Sequence, residues 1–400
     1  MTASRHSGWN SLLLSVLLAA PPAWAGTDDL AGPRYRIQGF AAQGLIGTTN
    51  NRFFGDSRDA ASAEFTEAGL HGTWQPLDAL RISGQALYRR AGESDEAGLR
   101  LDYAQADWQF YQSDVTRFGL RFGKVKLPYG LYNETRDVPF TRSGILLPQS
   151  VYVDNSRELL LAAPGAFLHG ASVQKYGATD FQIGWVRPAF DSESVEYSFL
   201  GNARPGKLEG RGALGARLRW DLPTETTLML TYADARGEYS PASGDLLAAG
   251  KVKFRNTLFT LQQRLDTLTL TAEYGEPRFT LSGFGPWLPD SQRHVQAAYL
   301  QGEWRFRPDW ELMLRHDVFY RDQDDRNGRQ FQAATGLPAH SMFAHDWTLG
   351  LRWDATPSLM LRAEYHHVNG TAWLPGPDNP DLINREQHWN MWLLQAAWRF

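Results

Sequence analysis

"NMWLLQAAWRF" occupies positions 390–400, and its reading decides the fold. Taken with a period of two, Trp392, Leu394, Ala396, Trp398 and Phe400 share one face, while Gln395 and Arg399 share the other. Chain ends are usually polar and frayed, yet position 400 is an aromatic on the apolar face. That face needs a cover, either a second sheet or lipid. "TLTLTAEY" (267–274) repeats the alternation, setting Leu268, Leu270, Ala272 and Tyr274 against Thr267, Thr269, Thr271 and Glu273. So do "ALRISGQALYRR" (79–90) and "WTLGLRW" (347–353), whose inward sets contain Arg81, Arg89 and Arg352.

About sixteen such segments run from 35–46 to 388–400, each near the ~9–11 residues that a tilted transmembrane strand requires. Their connections alternate in length. "QPLDA", "YQSD", "YGA" and "DATP" are short, whereas "GTTNNRFFGDSRDAAS" and "RDQDDRNGRQFQAATGLPAHS" are long and polar. Short turns at one end and long loops at the other suit a closed membrane barrel with both termini on the short-turn side. A β-sandwich supplies no reason for that alternation. The parity slips near Tyr103, within 252–262 and near Ala298, where β-bulges are one cause.

The N-terminal stretch agrees with export. Arg5, the apolar run "SLLLSVLLAA" and the A-x-A site at Ala23–Ala25 follow the order of a secretory signal peptide. The run is too short to span a bilayer, so residues 1–25 are expected to be removed and 26–400 to form the barrel. The chain has no cysteine, which excludes thiolate metal sites, disulfides and a cysteine nucleophile. Its net charge of −4 gives no electrostatic support for nucleic-acid binding. Neither G-x-S-x-G nor H-E-x-x-H occurs, and His366 and His367, as strand neighbours, point to opposite faces. No catalytic residue, metal site or cofactor is therefore expected. The few residues between Gly26 and Arg34 leave no room for the plug of a larger plugged receptor barrel.

One connection departs from the others. "KVKLPYGLYNETRDVPFTRSGILLPQSVYVDNSRELLLAAPG" (124–165) is far longer than a structureless loop should be and is rich in apolar residues. "NSRELLLAAPG" reads as a short helix, with Asn155 or Ser156 as N-cap and Pro164–Gly165 as its stop. The apolar residues need burial, and the barrel lumen is the nearest place for it. Basic and acidic side chains alternate along this loop: Lys124, Lys126, Arg136, Arg142 and Arg157 against Glu134, Asp137, Asp154 and Glu158. The wall contributes further guanidiniums, among them Arg81, Arg117 and Arg121. Opposed charges across a narrow pore set up a transverse field and tune ion preference. The excess of base on the wall predicts a mild preference for anions.

A long third loop with a helical turn, between strands five and six of a sixteen-stranded barrel, resembles the constriction loop of the general bacterial porins. "RFGKVKLPYGLYNETRD" (121–137) is also similar to the strand-to-loop junction of the phosphate-selective porin group. The resemblance implies an outer-membrane protein that forms a water-filled channel for ions and small hydrophilic solutes, with residues 124–164 folded into the lumen. It implies lipid and the barrel-assembly machinery as partners, the latter through Trp398, Arg399 and Phe400, and a homotrimer. Two selective readings stand beside simple diffusion. One is a phosphate or anion channel, which the loop acids weaken; the other is a sugar channel built on Tyr129, Tyr132, Phe140 and Tyr152. A barrel without transport, structural or enzymatic, would differ in having no conductance.

Overall fold

The computed structural model describes residues 34–400 apart from 155–156, 192 and 202–203. The leader read at 1–25 and the N-cap read at Asn155 or Ser156 lie outside the described residues. Among those residues, eighteen strand segments form one sheet, every pairing in it antiparallel, that closes on itself. They are β1 (Tyr35–Thr48), β2 (Ser62–Leu77), β3 (Leu80–Ala91), β4 (Asp95–Gln112), β5 (Thr116–Lys126), β6 (Ala162–Gln174), β7 (Gly177–Val186), β8 (Lys207–Asp221) and β9 (Thr226–Ser240). There follow β10 (Gly250–Leu265), β11 (Leu268–Gly275), β12 (Arg278–Ser282), β13 (Ser291–His294), β14 (Gln296–Arg307), β15 (Trp310–Tyr320), β16 (Phe343–Trp353), β17 (Leu359–Gly370) and β18 (His388–Arg399).

The eighteen segments make a sixteen-stranded barrel. β11 and β12 both pair with β10, so they are one strand interrupted at Pro277, which has no N–H to give the ladder. β13 and β14 continue each other on the far side of that strand, pairing with β12 and β11 respectively. Closure comes from β1 against β18, with Phe40 opposite Arg399 and Thr48 opposite Met391. Beyond that register, Phe400 N–H donates to Gly39 O at 3.1 Å and Gly39 N–H to Phe400 O at 3.2 Å. The terminal aromatic thus belongs to the seam itself.

The expected alternation of loop lengths holds with one exception. β3 and β4 run on until residues 92–94 alone connect them, where the sequence pattern had placed a longer loop. The tip is held from outside the hairpin. Asp378 accepts from Gly55 N–H (3.0 Å), Glu93 N–H (3.2 Å) and Ser94 O–H (3.1 Å). Gly92 has φ +57°, and a Cβ there would stand 2.2 Å from Gly55 N, so only glycine permits this close approach.

The outer face is apolar in the manner that lipid requires. On β15, Leu314 is 53% exposed while Arg315, its neighbour, is 1% exposed and faces the lumen. Aromatic rings cluster at the short-turn end of the same wall, where Trp310 and Trp353 stack at 5.3 Å. Of the three parity slips, only the one near Tyr103 is a bulge: Gln85 pairs with Tyr103 and Ala86 with Leu101, leaving Asp102 as the extra residue. In β10 the ladder is regular. There, Val252, Phe254 and Leu258 face inward and are buried, while Lys251 and Arg255 face outward. Ala298 likewise sits in unbroken register, with Ala297 and Tyr299 buried on the lumen side. The apolar residues point inward because something fills the lumen behind them.

An arginine placed at Leu314, near mid-height of the wall, should cost about 2–4 kcal/mol of barrel stability. Urea unfolding of the detergent- or lipid-reconstituted Leu314→Arg variant, followed by heat-modifiable migration, measures it. The same change at exposed Arg81's lumen neighbour Ser83 should cost far less.

Candidate functional site

The filler is the segment 127–161, which crosses the lumen and is fixed to the wall at three places. It contains a short 3₁₀ turn at Pro139–Thr141 and a helix at Arg157–Leu161. The helix ends before the expected stop at Pro164. β6 already starts at Ala162, and Pro164 pairs across from Lys124, accepting from Arg187 N–H at 2.8 Å. Inside the segment, Asn133 Nδ2 donates to Leu127 O (2.9 Å) and Leu160 O (2.5 Å), tying the outgoing arm to the returning one.

The first anchor is ionic and joins the segment to β2–β5. Lys126 Nζ lies 2.7 Å from both Asp102 and Asp137, and Arg157 also pairs with Asp137. Arg89 on β3 holds Glu67 (3.1 Å), Asp95 (2.6 Å) and Asp154 (3.2 Å), and Arg136 reaches Asp154 at 3.4 Å. Burial alone would raise the Asp137 carboxyl. Arg157 and Lys126 override burial and hold it well below the usual carboxylate range.

The second and third anchors meet the opposite wall. Glu273 on β11 accepts from Tyr152 O–H (2.5 Å), Tyr299 O–H (2.9 Å), Thr260 O–H (2.5 Å) and Leu131 N–H (3.0 Å). Beside it, Asn256 Nδ2 donates to Tyr129 Oη at 2.6 Å. Farther round, Glu364 on β17 accepts from Ile145 N–H (2.7 Å) and Leu146 N–H (3.1 Å). Arg315 donates to Leu146 O at 3.1 Å, Arg362 to Gly144 O, and Ser150 O–H to Asp317. Between these contacts, Leu127, Tyr132, Leu147, Val151, Leu159 and Leu160 pack into one apolar cluster with Phe254, Leu258 and Tyr299 of the wall. Full burial of each such side chain is worth about 1.5–3 kcal/mol.

The charged residues expected at the site fall into three groups. Lys126, Arg136, Asp137, Arg142 and Arg157 are buried, and Asp154 is nearly so, all engaged in holding the segment. Lys124 and Glu158 border a separate cavity of about 730 Å³ with Arg100, Arg187, Glu209 and Arg211. Lys124 Nζ donates to Leu101 O at 2.6 Å there. Arg81, Arg117, Arg121 and Glu134 remain beside open space. Arg81, Arg117 and Arg121 border a cavity of about 400 Å³ with Asp107 and His169. Arg117, Arg121 and His169 also border an adjoining one of about 300 Å³, with Glu134, Asp180 and Arg217.

Glu134 is the only one of the four on the crossing segment, and it meets guanidiniums of the wall. Arg121 Nη1 lies 3.4 Å from it, and Arg217 pairs with its other oxygen. Arg121 also pairs with Asp107 (3.3 Å), Arg217 with Asp180 (3.4 Å), and His169 Nε2 lies 2.9 Å from Asp107. Asp107, His169 and Asp180 were not singled out from the sequence. The available signal was parity: Asp107 alternates with outward Trp108, and His169 with outward Leu168.

A sixteen-stranded barrel whose third connection on the long-loop side crosses the lumen is the porin architecture. The solved structures bear this out. The chain overlays on an anion-selective porin from Comamonas acidovorans with a TM-score of 0.57 at 10% identity, covering 92% of this chain and 99% of that one. It overlays on Salmonella typhi OmpF with a TM-score of 0.57 at 13% identity (92% and 97%). For the trimer form of OmpT, an outer-membrane protein of Vibrio cholerae, the TM-score is 0.58 at 10% identity (92% and 99%). No protein-family model and no curated protein matches the sequence. What is shared is the porin-like fold.

Two outcomes follow for the ionic anchor. Arg89→Met leaves Glu67 buried without its cation and should destabilise the fold by about 3–5 kcal/mol, read as a lower urea midpoint. The Asp137 bracket is complete above the pKa of an unfolded Asp, ~3.9, and is lost only as pH falls through the lower folded value. Amide exchange in 127–161 should therefore stay slow at pH 4 and quicken only in stronger acid.

Proposed function

We propose that this protein is an outer-membrane porin through which ions and small hydrophilic solutes diffuse passively. The observation that carries the reading is the pair of adjoining charge-lined spaces along β3–β8, left open beside the crossing segment. In this reading the constriction is Glu134 facing Arg121 and Arg217, and Arg81 and Arg117 line the approach. Arg81, Arg117, Arg121 and Arg217 line these spaces with Asp78, Asp107, Glu134 and Asp180, four charges of each sign whose field the low-dielectric walls focus. The mild anion preference therefore rests on the wider excess of base on the wall. The buried set of Lys126, Arg136, Asp137, Arg142, Asp154 and Arg157 serves to hold the constriction in place. Likeness to a porin described as anion-selective and to a barrel with a trimer form supports the anion preference and a homotrimer. Removal of residues 1–25, insertion by the barrel-assembly machinery and residence in outer-membrane lipid complete the proposal.

Planar bilayers with a KCl gradient test it. The wild-type barrel should conduct with a reversal potential on the anion side. Glu134→Gln should move that potential further toward anions, and Arg121→Gln combined with Arg217→Gln should move it toward cations. A folded barrel with no conductance, or with a reversal potential indifferent to all three changes, would overturn the reading.

A further inference from the structure

The crossing segment leaves a second kind of space on its other side. Near the long-loop end of β10–β15 lies a cavity of about 140 Å³, bordered by Leu160 of the segment, Phe199, Phe254, Phe279, Val295 and Phe319. The rings enclose it closely: Phe199 and Phe254 stand 5.5 and 5.1 Å from Phe279. Interiors normally pack without voids of this size, and an apolar cavity of ~150 Å³ holds one benzene molecule. The polar atoms near its floor are already engaged. Tyr129 Oη accepts from Asn256, and Ser150 O–H is bonded to Asp317.

The rim differs. Arg293 on β13, opposite Phe279, is exposed, and its side chain makes no hydrogen bond or ion pair among the described residues. Arg321 adds a second positive charge at the border while donating to Ala372 O at 2.6 and 3.0 Å. We infer that this vestibule cavity binds a small carboxylate with a ring-sized apolar body, the body among the phenylalanines and the carboxylate on Arg293. The inference deepens the channel reading, naming the solute class that the barrel would collect before passage, and it rests on that reading only for the passage itself.

Calorimetry on the detergent-solubilised, heat-modifiable barrel tests it, with benzoate as probe and acetate and benzyl alcohol as controls. Benzoate should bind saturably at one site, and acetate should not. Arg293→Gln should weaken benzoate roughly tenfold and leave benzyl alcohol unchanged. Val295→Phe, which fills the cavity without touching the rim, should abolish binding of both. Absence of saturable benzoate binding to the folded barrel overturns the site, as does a benzoate affinity unchanged by Arg293→Gln or benzoate binding that survives Val295→Phe. Benzyl alcohol binding as tightly as benzoate overturns the role of Arg293. KCl conductance without benzoate binding removes this site and keeps the channel; benzoate binding without conductance does the reverse.

Discussion

In the hydrocarbon of a bilayer, no backbone N–H or C=O can be left without a partner. A sheet survives there only if its first and last strands pair, and here β1 and β18 do so over nine residue pairs before Phe400 and Gly39 complete the seam. Closure creates a lumen, and the lumen sets the second problem. A barrel of this strand number is too wide for its own inward side chains to fill. The 127–161 segment answers it by crossing the interior and turning much of it into a packed core.

That arrangement explains a feature of the wall that a simple membrane barrel would lack. On β10 and β12, Val252, Phe254, Leu258, Phe279 and Leu281 point inward, and Lys251, Arg255 and Arg278 point outward. The usual polarity is reversed over the height that the crossing segment covers. Below it, Phe259 and Leu261 return to the outer face. Burial against the segment, rather than contact with water, chose the inward residues here.

Ion pairs divide the lumen further. Where a cation is enclosed by several carboxylates, as Arg89 is by Glu67, Asp95 and Asp154, the group is structural, since removing one member would strand the others out of water. Where charges border open space, as Arg81, Arg117 and Arg121 do, they stay accessible from the lumen. The two classes share residue types and differ in solvent access. The enzyme-like pairing of His366 with Asp346 and Glu364 belongs to the first class, since all three side chains are buried beneath the crossing segment.

The period of two, the shortness of one set of turns and the apolar length of 124–165 determined the barrel, its strand number and the inward course of the connection between β5 and β6. These are local signals, because each strand must show one face to lipid wherever it sits. The same signals could not reveal which charges would be used up in holding the segment. Lys126 and Arg136 look no different in the sequence from Arg121, and only the fold brings Asp102 and Asp137 onto the first, Asp154 onto the second, and Glu134 onto the third. Nor could periodicity foresee the inverted face of β10, the three-residue tip between β3 and β4 or the strand that runs through Pro164. Each depends on a partner distant in the chain: the crossing segment, Asp378 of another loop, and the paired strand at Lys124. Alternation encodes what a residue faces across a membrane; what it touches inside a filled lumen is decided by tertiary packing.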